Sequence, residues 1–208
     1  MLFDYPITLQ EFAMSNEVTL GEIHRVVLNF LKGRVDSMVF GAQAVNLYVD
    51  EPRMTQDVDV MSIHGSEVAE LIRAEVHQRL NIAVRVRSVA NERGFRVYQL
   101  RSPTNRHLVD VRQVDKLLPS SEFEGILVVN PDELVVLKLI SLASRLNTPK
   151  GMTDRADLLR LLLKFPEFRT NRETIDMILV RQDAPVDVVT LWSEFCNTII
   201  EVDADDEY

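Results

Sequence analysis

The chain has 208 residues, 46% of them hydrophobic and 26% charged, with a net charge of −9. That balance belongs to a globular protein of ordinary composition, so acidic a chain is not a constitutive nucleic-acid coat protein, and no apolar run approaches the roughly 20 residues needed to span a bilayer. The single cysteine, Cys196, excludes an internal disulfide and a cysteine-cluster metal site; with no signal peptide at Met1–Pro6, a cytoplasmic protein is expected.

In chain order, residues 7–32 read as helical. Thr8 with Glu11, and Thr19 with Glu22, each fit a capping box, and Ile23, Val26, Val27, Phe30 and Leu31 recur at helical spacing. Gly33 caps that stretch. Val35–Phe40 is a strand running into Gly41, Ala42–Val49 a short helix, and Pro52 marks the loop that follows. Gln56–Ser62 is a second strand, and a helix from Glu67 to about Leu80 buries Val68, Leu71, Ile72, Val76 and Leu80. Ile82–Val89, Phe95–Leu100 and Arg106–Val111 alternate as strands of a meander. Pro119–Ser121 reads as a loop and Gly125–Val129 as a last short strand.

From Asn130 the pattern turns helical. Asn130 caps, Pro131 opens and Glu133 supports a helix to about Arg145. Asn147–Gly151 reads as a loop, Thr153 as the cap of a helix to Lys164, Thr170 with Glu173 as the cap of another, and Pro185 as the start of the last, to about Ile200. The expected architecture is α+β: a mixed sheet with packed helices over 1–129, then a helical region over 130–208 with an acidic tail.

The chemistry concentrates in the second strand. Asp57 and Asp59 are two residues apart, so they share one face of the strand while Val58 and Val60 take the other. Two like charges on one face are either a solvated edge or a holder for a divalent cation. Asp110, an acid among the apolar residues Leu108, Val109 and Val111, is the third carboxylate, since a bare charge there is costly without a partner.

Gly41-Ala42 followed by Arg53-x-Thr55-x-Asp57-x-Asp59 resembles the opening of the nucleotidyltransferase fold shared with polymerase β. Lys138 on a helix and Asp154-x-x-Asp157-Leu158 are similar to later motifs of the AbiEii-like nucleotidyltransferases, which include toxins of type IV toxin–antitoxin systems. The resemblance covers about residues 35–165. It implies that Asp57, Asp59 and Asp110 bind Mg2+ or Mn2+ and act in catalysis. It implies that Gly41 and Ala42 meet the phosphates, with Arg53 and Thr55 beside them. Lys138 would meet nucleotide phosphates, and Asp154 and Asp157 would stand at the rim. A nucleoside triphosphate is then the substrate. RNA such as tRNA is among the acceptors, an antitoxin protein is a possible partner, and no membrane is involved. The family usually opens with Gly-Gly or Gly-Ser; alanine at 42 keeps the amide and lacks the hydroxyl.

Two other readings stay open: a non-catalytic module binding nucleotide, RNA or protein, and a nucleotidyltransferase acting on small molecules. Each residue also has a plain structural reading. Asp110 could pair with Arg112 or Arg106, Lys138 could snorkel to the surface, and Asp154 could favour its helix dipole. Asp157 could pair with Arg160. His64 and His107 are acid–base candidates whose plainer reading is structural, His64 as a turn residue. The arginines from Arg85 to Arg106 fit a solvated sheet face or an RNA contact. Cys196 reads as core.

Overall fold

The computed structural model of the protein describes residues 18–200. The helix start expected at Thr8 and the acidic tail lie outside the described residues. Helix α1 (Leu20–Leu31) opens on the expected capping box: Thr19 Oγ1 accepts from the Glu22 amide at 3.2 Å, and Glu22 accepts from the Thr19 amide at 2.9 Å. It buries Ile23, Val27 and Leu31, one side chain per turn. Gly33 follows with φ 73°.

Strand β1 (Ser37–Phe40) is buried throughout and leads straight into α2 (Gly41–Tyr48). After a loop come β2 (Val58–Ser62) and α3 (Gly65–Leu80). Strands β3 (Val84–Val89), β4 (Gly94–Gln99) and β5 (Arg106–Gln113) form the expected meander, and β6 (Ser120–Phe123) and β7 (Ile126–Val129) form a hairpin. The sheet order is β3-β4-β5-β2-β1-β7-β6. Strand β2 runs parallel to β5 and β1 parallel to β7, while the remaining neighbours are antiparallel. Helices α1 and α3 pack together and against the sheet. Val68, Ile72 and Val76 carry the α3 contact, each fully buried and contributing about 1.5–3 kcal/mol.

The C-terminal helices are α4 (Pro131–Ala143), α5 (Pro149–Lys164), α6 (Glu167–Thr170), α7 (Glu173–Arg181) and α8 (Val186–Asn197). Helix α2 is the bridge: it touches β1 and β2 on one side and α4 and α5 on the other. The buried apolar side chains of sheet and helices make one contiguous core. Cys196 is only partly buried at its margin. Among the described residues no helix is long and apolar enough to cross a membrane.

Three expectations are corrected. Ser120 and Ser121, expected in a loop, already belong to β6, paired with Val129 and Val128, and the turn to β7 uses Glu124 and Gly125 at φ 49° and 83°; two consecutive left-handed residues match the twist of a tight hairpin. The loop expected over 147–151 is mostly helix: Thr148, not Thr153, caps α5, its Oγ1 accepting from the Gly151 amide at 3.0 Å with Pro149 at the first position. Gly151 is glycine there because a Cβ would stand 2.1 Å from the Arg145 carbonyl oxygen. Thr170 ends α6 and does not cap α7, which starts after Arg172.

Candidate active site

The β1–α2 junction and the start of β2 face each other in the antiparallel register Phe40↔Asp59. Gly41 has φ 68°, and a Cβ on it would lie 1.9 Å from Asp59 Oδ2. Only glycine permits both the left-handed turn and that approach. Phe40, the residue ahead of α2, gives no side-chain cap, so the first amides of α2, at Gly41, Ala42 and Gln43, lack an intrahelical acceptor and form a donor cluster beside Asp59.

The parallel register Asp59↔Asp110 sets the third carboxylate one strand away on the same face. Asp57 lies just ahead of β2 rather than within it. Asp59 feels the other two acids: burial first, then the charges of Asp57 and Asp110, push its carboxyl up to about 6. Asp57 goes the other way. The hydrogen bond from His107 Nδ1 at 3.0 Å holds it below the usual carboxylate range against the opposing effect of burial. Asp110 pairs with Arg96 at 3.4 Å, and not with Arg106 or Arg112 as the sequence suggested. Arg112 stacks over the Phe40 ring at 4.9 Å. With Asp57 turned to His107 and Asp110 to Arg96, no group of three His, Cys, Asp or Glu side chains among the described residues is assembled around a metal position.

His107 is the residue that sequence reasoning set aside as structural. The β4–β5 register pairs Val97 with Val109 and Tyr98 with His107, leaving Leu108 as the extra residue of a bulge. The bulge breaks the alternation, so His107 and Asp110, three apart, share the carboxylate face. The His107 ring lies 5.1 Å from that of Tyr98, and its buried Nε2 has no partner among the described residues.

The loop carrying Arg53 and Thr55 is held from two sides. Asn46 of α2 grips the Arg53 backbone, its Nδ2 donating to the carbonyl at 2.7 Å and its Oδ1 accepting from the amide at 3.0 Å. Thr55 Oγ1 accepts from Gln43 Nε2 at 2.6 Å. The Arg53 guanidinium makes a bidentate pair with Asp157 at 2.6 and 2.8 Å. Asp157 also accepts from Lys138 at 2.6 Å, and Asp154 accepts from Lys138 at 3.1 Å and from Arg145 at 2.7 Å. Lys138, Asp154 and Asp157 are at most 7% exposed. Burial raises the Asp157 carboxyl, but the Arg53 hydrogen bond and Lys138 outweigh it and hold it low.

Thus the site residues expected from sequence fall into two neighbouring groups: Asp57, Asp59 and Asp110 with the Gly41 turn, and Arg53, Lys138, Asp154 and Asp157 in a buried ion network. Arg160, the plain partner expected for Asp157, stands 3.7 Å from it. Lys150, exposed in the first turn of α5, also acts electrostatically on both Asp57 and Asp59. The expected loop at 147–151 hid it.

No protein-family model matches this sequence, and no curated protein matches it. Solved structures share the fold. The Megavirus polyadenylate synthase superposes with a TM-score of 0.56 at 14% identity, covering 73% of this chain. This chain spans 33% of that viral protein's length. The antibiotic-resistance factor ANT(2'')-Ia superposes with a TM-score of 0.50 at 11% identity, covering 85% of this chain and 95% of its own. The shared architecture is the nucleotidyltransferase-type fold.

Proposed function

We propose that the chain is a metal-dependent nucleotidyltransferase, moving a nucleoside monophosphate from a triphosphate to a hydroxyl acceptor. One observation carries the reading: Asp59 stands against the Gly41 turn, in register with Asp110 and within the field of Asp57. Asp59, whose proton affinity is raised by burial and by the charges of Asp57 and Asp110, gains from a cation beside it, and a donor set of carboxylate oxygens suits Mg2+ or Mn2+. Asp57, Asp59 and Asp110 would hold the ion, which when bound offsets the phosphate charge and assists the leaving group.

The chain's own groups supply the rest. The acceptor oxygen attacks the α-phosphorus, the bond to the bridging oxygen breaks, and pyrophosphate leaves. Asp110, flanked by Arg96, is the group to take the hydroxyl proton. The amides at the start of α2 receive phosphate oxygens, which Ala42 serves through its backbone. Lys150 fits the role of phosphate cation better than Lys138, whose charge is already shared between Asp154 and Asp157. Arg53, Thr55, Asp154 and Asp157 act in this reading by holding the loop before β2 against α2 and α5.

The test is incubation with each labelled triphosphate, Mg2+ and total RNA, beside an Asp57→Ala, Asp59→Ala double variant. Label transferred by the native protein alone supports the enzyme. No transfer to RNA, to the protein or to small acceptors, with no metal-dependent nucleotide binding, sinks it. The pairing of Asp57 with His107 and Asp110 with Arg96 favours a second reading, a binding module on the same fold; metal-dependent nucleotide binding without transfer identifies it. The finer reading, a cytoplasmic toxin acting on tRNA and restrained by an antitoxin, rests on the sequence resemblance. It requires that expression arrest growth and that the double variant not.

A further inference from the structure

We propose that the acceptor is a single-stranded polynucleotide whose backbone crosses the open face of β3, β4 and β5 and ends with its hydroxyl at Asp110. This rests on the reading of the three carboxylates as the transfer site. Asp59 pairs with Asp110, Asp110 with Arg96, and Arg96 with Arg87. Residues directly opposite each other share a face, so these four make one row over four neighbouring strands, spanning about 14 Å. A second row runs His107, Tyr98, Arg85 and starts beside Asp57. Both rows pass from carboxylate to arginine.

The charge there is opposite to that of the protein. Residues 84–113 carry Arg85, Arg87, Arg93, Arg96, Arg101, Arg106 and Arg112 against Glu92 and Asp110, in a chain of net charge −9. Arg85, Arg87 and Arg96 are exposed. Arg85 and Arg87 make no ion pair or hydrogen bond among the described residues. The opposite face is covered, because α3 packs against β3, β4 and β5. A purely solvated face would not need arginine at successive positions of the first row, where like charges oppose each other directly at Arg87↔Arg96, with a third arginine, Arg85, ending the second row beside them. Phosphates spaced along a strand relieve that repulsion, and Tyr98, partly exposed beside His107, offers a ring for a base. A polycationic small acceptor would be repelled by the same surface.

The test is binding, read without turnover. A fluorescently labelled single-stranded RNA and a DNA of the same sequence are titrated with the protein in EDTA at several salt concentrations. Three arginine contacts give a slope of log K against log salt of about −2, at about −0.7 per phosphate neutralised. Arg85→Gln with Arg87→Gln is expected to weaken binding at least tenfold and to flatten the slope by about 1.4. Arg85→Lys with Arg87→Lys is expected to retain the slope, which separates lost charge from lost fold. Binding of RNA alone, or of RNA and DNA alike, supports the proposal. Binding of neither, or binding that the glutamine pair leaves unchanged, overturns it. Transfer by the native protein separates the two readings: a strand that it binds on this face, with no label ever transferred from a triphosphate and Mg2+, means that the transfer reading has failed while the surface stands.

Discussion

At Asp59 the geometry and the charge pull against stability. Its carboxyl is raised from 3.8 to about 6, so the native state holds a proton more tightly than the unfolded chain. Stability contributed by this group is therefore full below about 3.8 and lost as pH rises through 6. In EDTA above pH 7 the charged form is a net cost, at most about 3 kcal/mol and less with solvent screening of a partly exposed group. Asp59→Asn is expected to be more stable than the native protein at pH 8 by about 1–3 kcal/mol, with the gap closing near pH 4. Urea unfolding at both pH values reads the difference. An asparagine variant less stable at pH 8 would mean that the carboxylate is held by a favourable partner instead. Gly41 bears on the same atom. Gly41→Ala must displace Asp59 and strain a left-handed turn, so it is expected to lose any metal-dependent nucleotide binding while the protein still folds. Unchanged binding by titration calorimetry would refute the role assigned to the turn.

In the proposed reading, two lysines of neighbouring helices divide the roles that the sequence resemblance assigned to one. Lys138 of α4 is buried between Asp154 and Asp157, while Lys150 of α5 is exposed. Removing one member of a buried, hydrogen-bonded charge network costs about 3–5 kcal/mol, so Lys138→Met is expected to lower stability by that order. Lys150→Gln is expected to change stability by less than about 0.5 kcal/mol and to raise KM for the triphosphate severalfold. Denaturant midpoints and steady-state kinetics on the two variants separate them; the reverse pattern would restore Lys138 as the phosphate ligand. The sequence could not make this division. Lys138 shows the same helical pattern whether it snorkels, pairs or binds, and Pro149 and Gly151 read as loop although one opens α5 and the other permits its contact with Arg145. His107 was hidden by a similar local cause, since one bulged residue reverses which side of β5 faces the acids.

The fold was legible where a stretch shows a clear period, as the one-sided helix α1 and the alternating strand β3 do, and where capping and proline signals mark helix starts, as Thr19 and Pro131 do. Asp59 and Asp110 could be singled out in the sequence as acids within buried strands and Asp57 as the acid just ahead of one; that Asp59 and Asp110 lie side by side beyond the Gly41 turn depends on the order β5-β2-β1, which no local pattern encodes. That order also makes the site a property of the whole molecule. The Gly41 turn comes from β1, Asp59 from β2, Asp110 from β5 and Lys150 from α5, and Asn46 and Arg53 hold the connecting loop to both halves. A ligand that engages these groups together binds only the folded chain and must raise its stability. At a concentration 100 times its dissociation constant the gain is about 2.7 kcal/mol, or a rise in Tm of roughly 5–10 °C for a chain of this size. Mg2+ with a non-hydrolysable triphosphate is expected to give such a rise, and either one alone a smaller one. Asp59→Asn is expected to abolish it although that variant starts more stable, and Arg53→Gln, which frees the loop from Asp157, to reduce it. A thermal shift equal in the native protein and in Asp59→Asn would place the nucleotide elsewhere, and the carboxylates would then be an acidic cluster with no part in its binding.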